Sequence, residues 1–126
     1  MQNELTAPNI EVTGWKARNE ALAMAKGADV FILCSLGEAI AMSLIENMYI
    51  KKLVLVSNVM GNKSVIKDGI NGYVCTHAEE YADKIIKAMN DFPSKLTDKA
   101  YNDVLTIYNT QIMKEKYIKF YRSLIK

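Results

Sequence analysis

Histidine is almost missing from this chain: His77 is the only one in 126 residues. One imidazole supplies neither the ligand set of a zinc centre nor the base of a serine-type triad, so both enzyme classes are excluded. Cysteine is scarce too. Cys34 and Cys75 have no CxxC spacing, and one histidine cannot complete a ligand set with them, so they are read as neither a metal site nor a redox pair. Each reads as a small hydrophobe inside a strand, consistent with a reducing compartment. No Asp-x-Asp occurs, so no bound divalent metal is expected, and no cofactor. No G-x-G-x-x-G follows an apolar run, which removes a dinucleotide-dependent oxidoreductase. Nor does any apolar run approach the roughly 20 residues of a membrane helix. Residues 1–8 are polar and carry no secretory pattern. Sixteen basic against 14 acidic side chains leave a net charge of +2, too little to argue for nucleic acid. The expectation is a soluble protein of the cytoplasmic side.

What is present is a real core in one domain spanning residues 1–126, with 50% of residues hydrophobic. Apolar, β-branched runs at 30–35 and 53–57 read as strands buried on both faces, and the helical stretch between them makes a βαβ unit. Further strands are expected at 10–13, ending at Gly14, and at 73–76. Helices are expected at 18–26 (closed by Gly27), 63–67, 77–91, 96–108 and 110–125. In the 77–91 helix, Ala82, Ile85, Ile86 and Met89 fall at core spacing, and Thr76-x-x-Glu79 reads as its capping box. Asp68-Gly69 and Asn71-Gly72 mark tight turns.

The chemistry gathers after the first buried strand. Ligands of parallel sheets collect where strands end and helices begin, and Ser35, Gly37, Glu38 and Ser43 fall there. Ser43-x-x-Glu46 has the pattern of a capping box, placing the helix start at about Ser43. A helix origin offers unpaired amides and a positive dipole end, a natural phosphate seat. Carboxylates beside such a seat accept hydrogen bonds from sugar hydroxyls. A nucleoside diphosphate sugar, with a sugar at each end of a diphosphate, fits this layout.

The residues also match a known pattern. Ser35-Leu36-Gly37-Glu38, then Glu46 after seven intervening residues, the strand at 53–57, Gly61-Asn62 and Asp68-Gly-Ile-Asn-Gly72 together resemble the C-terminal, donor-binding part of GT-B glycosyltransferases of the retaining family 4 type. The resemblance runs in order from about residue 9 to 126. It implies a Rossmann-like three-layer α/β/α fold with a parallel sheet of about four strands, forming part of a GT-B C-terminal domain. It implies that Glu38, the catalytic candidate, faces the transferred sugar and that Glu46 binds the ribose hydroxyls. It further implies that Ser43 and Leu44 turn backbone amides to the diphosphate, with Gly37, Ala39, Gly61 and Asn62 bordering the donor. The chain departs from the family at Gly37, where a large residue is usual. Ala39-Ile40-Ala41 stand in place of Gly-Phe-Gly, and Ser64 replaces an acidic residue.

The activity so implied is transfer of a sugar from a nucleoside diphosphate sugar to a hydroxyl with retention of configuration, in surface polysaccharide or glycoconjugate synthesis. The hydroxyl acceptor would be held by an N-terminal domain that these residues lack, together with the first βα units and their basic phosphate loop. The chain is thus expected to be part of a longer enzyme. Other readings are a GT-B sugar-nucleotide epimerase or phosphorylase, and a non-catalytic sugar-nucleotide or partner-binding module. Trp15 reads as aromatic packing over the adjacent helix, and the resemblance adds proximity to the nucleotide base. In residues 110–125, Met113, Tyr117, Phe120, Tyr121 and Leu124 share a face while Lys114, Lys116, Lys119 and Arg122 occupy the remainder. The apolar face is expected to be core. A peripheral contact with an anionic membrane, or with an N-terminal domain, is the alternative.

Overall fold

In the computed structural model, residues 7–125 are described. Helix α1 (Arg18–Gly27) leads into β1 (Val30–Leu33), and α2 (Met42–Tyr49) into β2 (Leu53–Ser57). Then follow α3 (Met60–Val65), β3 (Tyr73–Cys75), α4 (Ala78–Asn90), α5 (Ser94–Thr106) and α6 (Thr110–Leu124). The strands form one parallel sheet in the order β1-β2-β3, with Val30 opposite Leu53 and Leu55 opposite Tyr73.

Alternation along β2 builds three layers. Val54 and Val56 pack with Leu44 and Met48 of α2 and with Ala100 and Val104 of α5. Leu53 and Leu55 point the other way, onto Tyr81, Ile85 and Ala88 of α4. These four residues of β2 are almost wholly buried, which is why the segment reads as an uninterrupted apolar run. The fold class is therefore the expected α/β sandwich, with a sheet of three strands among the described residues rather than about four. Residues 10–13, expected as a strand, are not part of the sheet, and Ile10 and Val12 are half exposed.

Other expectations shift by small amounts for identifiable reasons. Helix α4 starts at Ala78, so its third residue is Glu80, and Glu80, not Glu79, accepts from the Thr76 amide at 2.6 Å. Its buried stripe is Tyr81-Ile85-Ala88. Ala82, Ile86 and Met89, expected in the core, are exposed, the last two at 57% and 81%, because two neighbouring stripes share helical spacing and small Ala88 is the one that fits against β2. Strand β1 stops at Leu33, which leaves Cys34 exposed in the following loop while Cys75 is buried in β3. The expectation that α6 buries its apolar face fails most clearly. Met113, Tyr117, Phe120, Tyr121 and Leu124 are each more than half exposed. The helix is started by Asn109, whose side chain accepts from the Ile112 amide at 2.9 Å, and beyond that cap its rings meet mainly each other, Tyr117 stacking on Tyr121.

The Asp68–Gly72 turn behaves as its residues dictate. Gly69 has a φ of +70°, and Asp68 accepts from the Val74 amide at 2.9 Å. Asn71 is buried: its amide nitrogen donates to Asp103 of α5 at 2.9 Å and to the Val65 carbonyl at 3.1 Å, and its oxygen accepts from the Lys67 amide at 2.7 Å. Asp103 is also buried and is paired with Lys99, so a carboxylate stands inside the fold with both oxygens occupied. Gly72 is required by contact, since a Cβ there would lie 2.6 Å from Val54 Cγ2 and 2.9 Å from the Val54 carbonyl oxygen.

Gly72→Ala is expected to lower stability by about 2 kcal/mol through overpacking against β2, read as a lower urea midpoint with an unchanged slope. Burial pushes the Cys75 thiol up from its ordinary value, so at pH 8 it remains protonated and covered. Iodoacetamide is expected to alkylate Cys34 and spare Cys75 until the protein is unfolded, as read by peptide mass mapping.

Candidate functional site

The site forms at the carboxyl ends of β1 and β2, where two loops are tied together. The Ser57 hydroxyl donates to the Ser35 carbonyl at 2.6 Å, linking the end of one strand to the loop after the other. The Asn62 side chain donates in turn to the Ser57 carbonyl and hydroxyl, both at 3.1 Å. Gly61, in the first turn of α3, lies directly beneath the backbone of Glu38 and Ala39, where a Cβ would overlap both carbonyl oxygens. Gly61 and Asn62, expected to border the donor, are both buried and support the 34–41 loop from below. The Asn62 side-chain oxygen, Oδ1, is buried with no hydrogen-bond donor among the described residues.

On that support the loop shows Leu36 and Gly37 to solvent and holds Glu38 half-buried, with the Ser35 hydroxyl donating to Glu38 Oε2 at 3.2 Å. Ala39 is exposed at the loop surface.

Helix α2 does not begin with the expected capping box. Its N-cap is Ala41, which has no side-chain acceptor, and Ser43 is the second helical residue. The Leu44 amide donates to the Ala41 carbonyl at 3.1 Å, and the Leu44 side chain is fully buried in the core. The amides of Met42 and Ser43 precede the first intrahelical bond and remain the open donors of this origin. Glu46, freed from a capping role, accepts from Arg18 of α1, at 2.6 Å from Nη2 and 3.2 Å from Nε. With the helix starting at Met42, Glu46 is its fifth residue, too far along to reach back to the N-cap amide as a capping box requires.

Between α1, α2 and the turn at Thr13–Lys16 lies a cleft of about 490 Å³, walled by Trp15, Lys16, Arg18, Phe31, Ser43 and Glu46 among others. Ser43 and Glu46 thus share one wall, and Glu38 stands on the adjoining loop outside it. Trp15 is 85% exposed, so its ring is available to a flat ligand and contributes little as packing. Arg18 and Phe31 carried no sequence signal strong enough to place them in a site. The one hint was a cation in the first turn of α1, where the helix dipole opposes it and a nearby carboxylate is needed.

Residues 1–103 match the family of glycosyl transferases group 1. The chain belongs to that family. Solved structures with the same fold agree. HepE from Anabaena, in complex with UDP-glucose, superposes with a TM-score of 0.72 at 17% identity, over 79% of this chain and 29% of that one. A glycosyltransferase from Rickettsia africae gives 0.74 at 26% identity, over 82% and 29%. The C-terminal domain of the group 1 glycosyl transferase LpcC from Francisella tularensis gives 0.68 at 23% identity, over 80% and 53%. No curated protein matches the chain. This group 1 glycosyl transferase chain therefore spans between 29% and 53% of the length of those structures.

Gly61→Ala is expected to displace the Glu38–Ala39 backbone and to lower stability by about 2 kcal/mol. Amide resonances of residues 35–43 should shift while those of α4 and α5 stay in place. A spectrum unchanged over 35–43 would show that the loop does not rest on α3.

Proposed function

We propose that the chain is the nucleotide-sugar donor-binding part of a retaining glycosyltransferase, moving a sugar from a nucleoside diphosphate sugar to a hydroxyl acceptor in polysaccharide or glycoconjugate synthesis. The observation that carries the reading is the shared wall of Ser43 and Glu46 at the origin of α2, beside the carboxyl ends of the strands. Membership in the glycosyl transferase group 1 family and the UDP-glucose held by HepE support it.

In this reading the diphosphate sits against the open amides of Met42 and Ser43, where the α2 dipole favours negative charge. The cations of Lys16 and Arg18 border the same cleft and add to that field. The Glu46 carboxylate accepts from the ribose hydroxyls. Glu38, on the loop that α3 supports, faces the transferred sugar as the catalytic candidate, with its Oε2 already oriented by the Ser35 hydroxyl. Charge grows on the diphosphate as the sugar departs, so a preformed positive site there stabilises the transition state more than the bound donor. Positioning supplies the rest. The acceptor is assigned to a further domain of a longer protein, in keeping with the share of the matched structures that this chain spans.

The isolated 126 residues are therefore expected to bind a nucleoside diphosphate weakly and to transfer little or no sugar. Glu46→Ala should weaken binding of the preferred nucleoside diphosphate by roughly tenfold in calorimetry. In the longer protein Glu38→Gln should lower kcat for transfer. Absence of saturable binding to any of UDP, GDP, ADP and CDP, or full transfer activity from residues 1–126 alone, would overturn the reading.

A further inference from the structure

The Arg18–Glu46 pair joins two helices at the wall of the cleft, and its geometry is one-sided. Both Nε and Nη2 of Arg18 converge on Glu46 Oε1, and among the described residues no donor reaches Oε2. The guanidinium comes from the first turn of α1, 28 residues earlier in the chain, and its side chain is 73% exposed against 26% for that of Glu46. A pair this open to water is screened and adds little stability. Its effect is geometric. An unrestrained glutamate populates many rotamers, and fixing one at the moment of binding carries an entropic cost. A planar fork holding one oxygen narrows that freedom beforehand and leaves the other oxygen free to accept.

We propose that Arg18 is a positioning residue that presents Glu46 Oε2 to the ribose hydroxyls of the nucleotide, so that Arg18 sets the discrimination between ribonucleotides and those lacking the sugar diol. This rests on the donor-site reading given above. Lysine is a poorer substitute because it offers a point charge in place of a fork, and methionine keeps the apolar stem while removing every donor. A purely structural tie between α1 and α2 would affect all ligands of the cleft alike. A pair that occluded Glu46 would do the opposite and weaken ribonucleotide binding in the native protein.

The test is a nuclear magnetic resonance titration of the 126-residue chain and its Arg18→Met and Arg18→Lys variants. The probes are whichever of UDP, GDP, ADP and CDP binds best and the 2′,3′-dideoxy form of that nucleotide. The native chain should favour the ribonucleotide. Arg18→Met should shrink that preference by about threefold to tenfold, chiefly by weakening the ribonucleotide, with Arg18→Lys between the two. The Arg18 Nε–H resonance should move on Glu46→Gln with no nucleotide present, which reports the pair independently of any ligand. An equal loss of affinity for both nucleotides in Arg18→Met overturns the inference and leaves the donor site standing, as does a gain in ribonucleotide affinity. If no nucleotide perturbs the Ser43 and Glu46 amides of the native chain, the donor-site reading itself falls and this inference with it.

Discussion

The Ser57 hydroxyl, donating to the Ser35 carbonyl at 2.6 Å, fixes where two parallel strands deliver their loops. Parallel strands place their carboxyl ends side by side, yet their loops are free to diverge unless something binds one to the other. Here a short polar chain does so. Asn62 holds Ser57, Ser57 holds Ser35, and Ser35 in turn orients Glu38. Gly61 completes the support by letting α3 approach the Glu38–Ala39 backbone closer than any side chain permits. The placement of Glu38 is thus a property of β2 and α3 as much as of its own loop.

A second buried polar group plays the same part deeper in the domain. Asn71 satisfies backbone groups of Val65 and Lys67 and reaches Asp103 across the α5 interface, so the turn after α3 is anchored to a helix far along the chain. Paired in this way, a buried amide and carboxylate specify one docking of α5 onto the sheet. The same helix packs on α2 through Ala100 and Val104, which carries the constraint from the turn to the element whose origin walls the cleft.

Legibility in the sequence followed the range of the forces involved. The strand at 53–57 was readable because burial on both faces leaves an unbroken apolar run, and helix α1 because helical propensity is local. The strand expected at 30–35 covers 30–33 and, at the sheet edge, has no fully buried residue. The Asp68–Gly72 turn was readable because Gly69 needs a positive φ. What could not be read were choices settled between distant segments. Ser43-x-x-Glu46 satisfies the capping pattern, but α2 starts at Met42, and Glu46 pairs instead with Arg18, 28 residues earlier in the chain. Gly61 and Asn62 mark the right loop, yet their burial beneath it depends on the tertiary approach of α3. Trp15 is a residue type that usually packs and is instead left open at the cleft. The amphipathic pattern of α6 states that a partner is wanted without stating which, and no part of the described fold supplies it.

With β2 on one side only, β1 leaves its outer row of peptide donors and acceptors uncovered, next to Ile32 at 42% exposure. Such an edge is a template that any extended segment can extend, whether a neighbouring stretch of a longer polypeptide or a stray strand from another molecule. A strip of backbone four residues long is therefore one place, in addition to the exposed rings of α6, through which these 126 residues can associate in concentrated solution.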